Sequence, residues 1–110
     1  MMIRKFQEGN VYTLIVEGRI DMLNSAEFQK EAEECAAKLV GKNGTLVFNF
    51  NGLKYISSAG LRVVLSVHKQ MIKNGGQLKI INVLPAIMEI FAITGFTSIL
   101  DITEVEVKDE

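Results

Sequence analysis

Two adjacent hydroxyls and a glycine stand in Tyr55-Ile56-Ser57-Ser58-Ala59-Gly60-Leu61, between an apolar run at residues 45–50 and a helix-patterned run at residues 61–73. A strand handing over to a helix leaves several backbone N–H groups unpaired, at the positive end of the helix dipole. Two chemistries suit a serine in that position. Its hydroxyl can cap the helix by accepting one of those N–H groups. It can instead carry a phosphoryl group, whose negative charge a helix N-terminus favours. One hydroxyl suffices for a cap, and the small residues Ala59 and Gly60 leave a shallow, open surface through which another protein's active site could approach the second.

Other reactive residue types are sparse. The lone His68 falls on an apolar stripe with no cysteine or second histidine to share a metal, which fits a packed or boundary residue. Cys35 is the only cysteine, so neither an intramolecular disulfide nor a cysteine-based metal cluster can form, and its Glu34-Cys35-Ala36-Ala37 setting reads as core. Most of the 13 carboxylates belong to a solvated helix face or the C-terminus. Gly75-Gly76 lacks the spaced second glycine and the Lys-Ser/Thr pair of a phosphate-binding loop. No nucleophile, base and orienting group fall into a set, so the expectation is a protein without catalytic residues, metal or cofactor of its own.

The elements that must position Ser57 and Ser58 follow from periodicity. Residues 3–6 and 11–17 read as a hairpin across Glu8-Gly9-Asn10, with Tyr12, Leu14 and Val16 facing the core. Residues 18–23 read as a loop. Asn24 or Ser25 then caps a helix, with Glu27 at capping-box spacing from Asn24 and Phe28, Ala32, Cys35, Ala36 and Leu39 on one face. Gly41 and Gly44 end it. Residues 45–50 read as a central strand buried on both faces. The next helix presents Leu61, Val64, Leu65, His68 and Ile72 as a stripe and stops at Asn74-Gly75-Gly76. A strand at residues 77–82 and a short helix at 86–93, with Pro85 in its first turn, follow. Residues 98–107 have room for a short strand or a turn, and Lys108-Asp109-Glu110 should fray. The expected fold is a single α/β domain over residues 1–110, a mixed sheet of about four strands with an N-terminal antiparallel hairpin and helices packed on it.

Composition narrows the function classes. The 110-residue chain is 48% hydrophobic and 23% charged with a net charge of −1, an ordinary globular balance. No Lys/Arg run and no Trp supports nucleic-acid binding. No apolar run approaches the ~18 residues of a membrane span, and Met1-Met2-Ile3-Arg4-Lys5 lacks the apolar core of a signal peptide, so a cytoplasmic location is expected.

Residues 55–65, Tyr-Ile-Ser-Ser-Ala-Gly-Leu-Arg-Val-Val-Leu, resemble the signature of STAS domains of the anti-anti-sigma type. Leu14-Ile15-Val16-Glu17-Gly18-Arg19-Ile20-Asp21 resembles the family's second strand and the Gly-x-x-Asp loop after it. Asn49-Phe50, Gly75-Gly76 and Phe91-x-x-Thr94-Gly95-Phe96 match its later elements, so the resemblance spans nearly the whole chain. It implies an antagonist of an anti-sigma factor that is also a serine kinase. The unphosphorylated form would bind that kinase and free the sigma factor, phosphorylation would release the domain, and a PP2C-type phosphatase would reset it. Alignment on Gly60-Leu61 makes Ser58 the acceptor, with Ser57 the alternative hydroxyl; the best-known members carry Asp where this chain has Ser57. Asp21, either a turn residue or a contact beside Ser58, would join Ser57, Ser58, Ala59, Gly60 and Arg62 on the partner surface, with Arg19, Met22 and Leu23 as flanking candidates. The rival implication is a STAS-type subunit or scaffold of another assembly, such as a lipid-transport ABC complex, that needs no phosphorylation.

Overall fold

Glycine at Gly9, with φ +59°, turns the chain between β1 (Met2–Glu8) and β2 (Val11–Ile20), which pair antiparallel from Met2↔Glu17 to Glu8↔Val11. The computed structural model describes residues 1–105. Beyond the hairpin lie α1 (Ser25–Ala37), β3 (Thr45–Ile56), α2 (Ser58–Lys73), β4 (Gln77–Val83), α3 (Pro85–Ile93), a single 3-10 turn (Phe96–Ser98) and β5 (Asp101–Glu104). The strands lie in the sheet in chain order, β1-β2-β3-β4-β5, and every pair after the hairpin is parallel. Each parallel step needs a crossover, which α1, α2 and α3 supply.

Among the described residues the sheet thus has five strands rather than about four. The added β5 is a four-residue edge, Asp-Ile-Thr-Glu, in which only Ile102 is half-buried, so little apolar alternation marks it in the sequence. The expected fraying of Lys108-Asp109-Glu110 lies outside the described residues.

Facing rows build the core. Tyr12, Leu46 and Leu78 form one row across β2, β3 and β4, and Leu14, Phe48 and Ile80 the next; all are buried. Helix α1 lays Phe28, Ala32, Cys35 and Ala36 onto these rows, as expected of that face. The Phe28 ring lies 5.3 Å from Phe48 and 6.4 Å from Phe50, centroid to centroid. Its edge toward β1 is closed by the Lys5–Glu31 ion pair.

Four local expectations need correction. Strand β3 is central, but its burial alternates: Leu46, Phe48 and Phe50 are fully buried while Thr45, Val47 and Asn49 are half-buried, because helices α1 and α2 cover the face of the former set. Helix α2 buries Gly60, Leu61, Val63, Val64, Val67 and Met71, whereas Leu65 and His68 are half-buried and Ile72 is 56% exposed. The helix seats through Gly60 against Ile20 and Ile56, and that contact sets the phase of the buried stripe. Helix α1 ends at Ala37, before Gly41 and Gly44, with the Lys38 N–H donating to the Cys35 carbonyl and the Leu39 N–H to the Ala36 carbonyl. Asn24 stands at its N-cap but makes no capping bond; its Oδ1 accepts from the Asp21 N–H at 2.8 Å and its amide donates to the Arg19 carbonyl at 2.9 Å. The capping box with Glu27 is replaced by this loop-side anchoring.

Both strands that lead to Ser57 and Asp21 run further than their apolar patterns. Strand β2 continues through residues read as loop, past Gly18 at φ +94°, and β3 continues past Asn51-Gly52 to Ile56. Register shifts at Ile15/Glu17 and Gly18/Arg19 carry the pairing on to Arg19↔Tyr55 and Ile20↔Ile56. These extensions bring the chain after Ile20 and the chain after Ile56 to the same end of the sheet.

Candidate functional site

Ser57 leaves β3 in extended conformation (φ −81°, ψ 169°) and stands at the N-cap of α2. Its Oγ accepts the Gly60 N–H at 3.1 Å, its own N–H donates to the Ile20 carbonyl at 2.8 Å, and its carbonyl accepts from Leu61 at 3.0 Å. With only 6% of its surface exposed, Ser57 is a structural cap that ties α2 to the end of β2. Ser58 is the first helical residue and is exposed. No hydrogen bond to its hydroxyl occurs among the described residues. The two hydroxyls therefore differ in environment: Ser57 satisfies the helix, and Ser58 is left to solvent.

The residues around Ser58 are small or mobile in reach. Ala59 is half-buried. Gly60 is buried because its Cα rests on two β-branched side chains; a Cβ there would stand 2.8 Å from both Ile20 Cγ2 and Ile56 Cγ1. Arg62, one turn beyond Ser58, is exposed and makes no ion pair among the described residues. It lines a groove of about 300 Å³ between α1 and α2, with Ser25, Ala26 and Gln29 on one wall and Ala59, Val63 and Ser66 on the other. Among the described residues, Arg62 is the only charged one in that lining.

Asp21 follows Ile20 as Ser57 follows Ile56, so the two share one rim at the C-terminal ends of parallel strands. Its carboxylate accepts the Leu23 N–H at 2.9 Å and the Asn24 N–H at 3.0 Å. Asp21 therefore shapes its own loop and makes no hydrogen bond to Ser58 among the described residues. The loop it shapes lifts Met22 and Leu23 into solvent, 79% and 95% exposed. Beside them the Arg19 guanidinium lies 4.3 Å over the Tyr55 ring, across the β2–β3 pair.

Sequence reasoning held Arg19 only as a flanking candidate and assigned no role to Tyr55; their pairing depends on the two register shifts, which no local pattern reveals. Ser25, Gln29 and Ser66 were also outside the expected site, because the groove they line exists only once α1 and α2 pack together. His68 is half-buried, and no group of three or more potential metal ligands occurs among the described residues. Burial pushes the Cys35 thiol up, with Lys5 and Tyr12 opposing the shift. No helix among the described residues is long and apolar enough to cross a membrane.

The arrangement offers an exposed hydroxyl at a helix N-terminus, a neighbouring arginine, and apolar side chains raised on an adjacent loop. A family model for the STAS domain matches residues 3–109. The chain is 40% identical over 81 residues to BtrV of Bordetella bronchiseptica, named as a candidate anti-sigma factor antagonist, covering 74% of this chain and 70% of that protein. It is 27% identical over 97 residues to the anti-sigma-B factor antagonist of Bacillus subtilis, covering 88% and 85% of the two chains. The Bacillus anti-sigma factor antagonist SpoIIAA has a similar fold. Its unphosphorylated form matches with a TM-score of 0.75 at 15% identity over 92% of this chain and 87% of its own. Its phosphorylated form matches at 0.70 and 14% identity over 92% and 90%.

Proposed function

This chain belongs to the STAS domain family, and from that premise we propose that it is an anti-sigma factor antagonist switched at Ser58. It is a regulatory binding protein, as its named relatives are, and not an enzyme. In the unphosphorylated state it binds an anti-sigma factor that is also a serine kinase, in the cytoplasm, and so frees the sigma factor. The kinase then transfers the γ-phosphoryl group of ATP to Ser58 Oγ; ADP leaves and the hydroxyl proton is lost. The modified domain dissociates until a PP2C-type phosphatase hydrolyses the ester back to serine and inorganic phosphate. ATP and Mg²⁺ belong to the kinase, and this chain brings no cofactor.

The observation that carries this reading is the exposed, unbonded Ser58 hydroxyl beside a Ser57 that already caps the helix. A phosphate adds about −1.5 to −2 charges, which the first turn of α2 tolerates. An interface fitted to a neutral hydroxyl does not tolerate it: repulsion and desolvation costing about 3–4 kcal/mol weaken binding several hundred-fold. SpoIIAA, whose unphosphorylated and phosphorylated forms both match this fold, is consistent with a switch that leaves the domain folded.

Titration of the anti-sigma factor kinase with the native protein and with Ser58→Glu, by calorimetry, tests it. The expected result is a loss of affinity of at least ten-fold for Ser58→Glu with unchanged far-UV circular dichroism. Equal affinity would remove Ser58 from the interface. A stable complex indifferent to ATP would point instead to a STAS subunit of another assembly.

A further inference from the structure

We propose that Arg62 is the intramolecular receptor for the phosphate on Ser58, so that phosphorylation closes a Ser58–Arg62 clamp on the first turns of α2. The inference rests on the reading of Ser58 as the acceptor and adds what the modified state does with its charge.

Ser58 and Arg62 are four residues apart on one helix, and both are exposed. Side chains at that spacing have Cβ atoms about 5–6 Å apart. Helical side chains lean toward the N-terminus, so the longer arginine at the fourth position bends back over the serine. The guanidinium presents a planar fork that suits two phosphate oxygens at once, which a lysine would not. Its surroundings leave it available. Among the described residues, no carboxylate lines the groove beside it and Arg62 makes no ion pair. The groove of about 300 Å³ gives the phosphate room next to Ala59 without displacing core side chains. Ser57 already takes the Gly60 N–H, while the N–H groups of Ser58 and Ala59 have no carbonyl partner within the helix and add to the attraction.

The clamp has a regulatory consequence. Arg62 and Ser58 are both exposed, and Arg62 lines the groove with Ala59 and with Ser25 of the loop-to-helix junction after Met22 and Leu23. In the unphosphorylated protein its charge is free for a partner's acidic group. Once Ser58 carries phosphate, the same guanidinium turns inward along the helix. Phosphorylation then removes a cation from the partner surface as well as adding an anion to it, and it stabilises the released domain.

The test installs phosphoserine at position 58 by genetic-code expansion, so no kinase is needed. Thermal unfolding is compared for the phosphorylated and unphosphorylated forms of the native protein, Arg62→Gln and Arg62→Lys. The expected result is a gain in Tm of about 2–6 °C on phosphorylation of the native chain. At least half of that gain disappears in Arg62→Gln, with partial recovery in Arg62→Lys. The unphosphorylated Arg62→Gln protein should unfold with the native one, because the side chain is exposed. An equal phosphorylation gain in all three backgrounds overturns the clamp. Failure of a kinase to modify Ser58 would count against the proposed function and leave this result standing; an absent clamp in a chain that the kinase does modify would do the reverse.

Discussion

Ser57 and Ser58 are chemically identical neighbours with opposite environments, and the difference is a matter of which one the strand ends on. Because β3 runs to Ile56, Ser57 falls at the N-cap with its Oγ on the Gly60 N–H, and Ser58 falls in the first turn with its hydroxyl in solvent. Replacing Ser57 with alanine removes the cap and leaves a buried N–H unpaired, so Ser57→Ala should cost about 1–2 kcal/mol in urea unfolding. Ser58→Ala should stay within about 0.5 kcal/mol of the native chain. Equal effects would mean that the capping role is shared. The sequence made both serines candidates for both roles, since either can precede Ala59-Gly60 in a cap. Only the strand's true end separates them, and Asn51-Gly52 inside β3 looks like a turn rather than the continuation of a strand. Asp21 shows the same limit. Its place on the rim was expected from the resemblance, but the hydrogen bonds it makes go to the Leu23 and Asn24 N–H groups of its own loop.

At the scale of elements, the seat of α2 on the sheet decides the geometry of the site. Gly60 lets the helix approach Ile20 and Ile56, and the Ile20 carbonyl holds the Ser57 N–H from below. Gly60→Ala would set a methyl 2.8 Å from two stiff β-branched side chains on adjacent strands. Alanine's better helix propensity returns at most about 1 kcal/mol. Overpacking costs typically ~1–3 kcal/mol, so the variant should be net destabilised and unfold several degrees below the native chain. A Tm equal to or above the native value would show that the helix can back away without loss. The helix stripe was legible in its period but not in its phase. Reading the largest residues, Leu65, His68 and Ile72, as the buried set favours side-chain size, whereas the contact that fixes the rotation of α2 is made by a residue without a side chain. The α1 face, free of such a constraint, matches its sequence pattern at Phe28, Ala32, Cys35 and Ala36.

For the whole molecule, the alternation of strands and helices was enough to expect an α/β domain with an antiparallel hairpin at its start, because each parallel step demands a crossover and only a hairpin can follow Gly9. It was not enough to count the edge: β5 pairs with β4 at Lys79↔Asp101, Ile80↔Ile102 and Val83↔Glu104 through backbone groups that leave little apolar trace. The layout gathers the proposed site at one end of the sheet. Parallel strands β2 and β3 terminate together, and the loop after one and the helix after the other form the rim that bears Met22, Leu23, Ser58 and Arg62. The core lies beneath that rim, so a charge added at Ser58 would meet solvent and helix dipole rather than packed side chains, and the proposed switch would leave the fold intact. The most direct test of the account is intact and peptide mass spectrometry after incubation with the anti-sigma factor kinase and Mg-ATP, alongside Ser57→Ala and Ser58→Ala. The account predicts one added phosphate that maps to Ser58, persists in Ser57→Ala and vanishes in Ser58→Ala. A phosphate on Ser57, or none from a kinase active on another substrate, would contradict it.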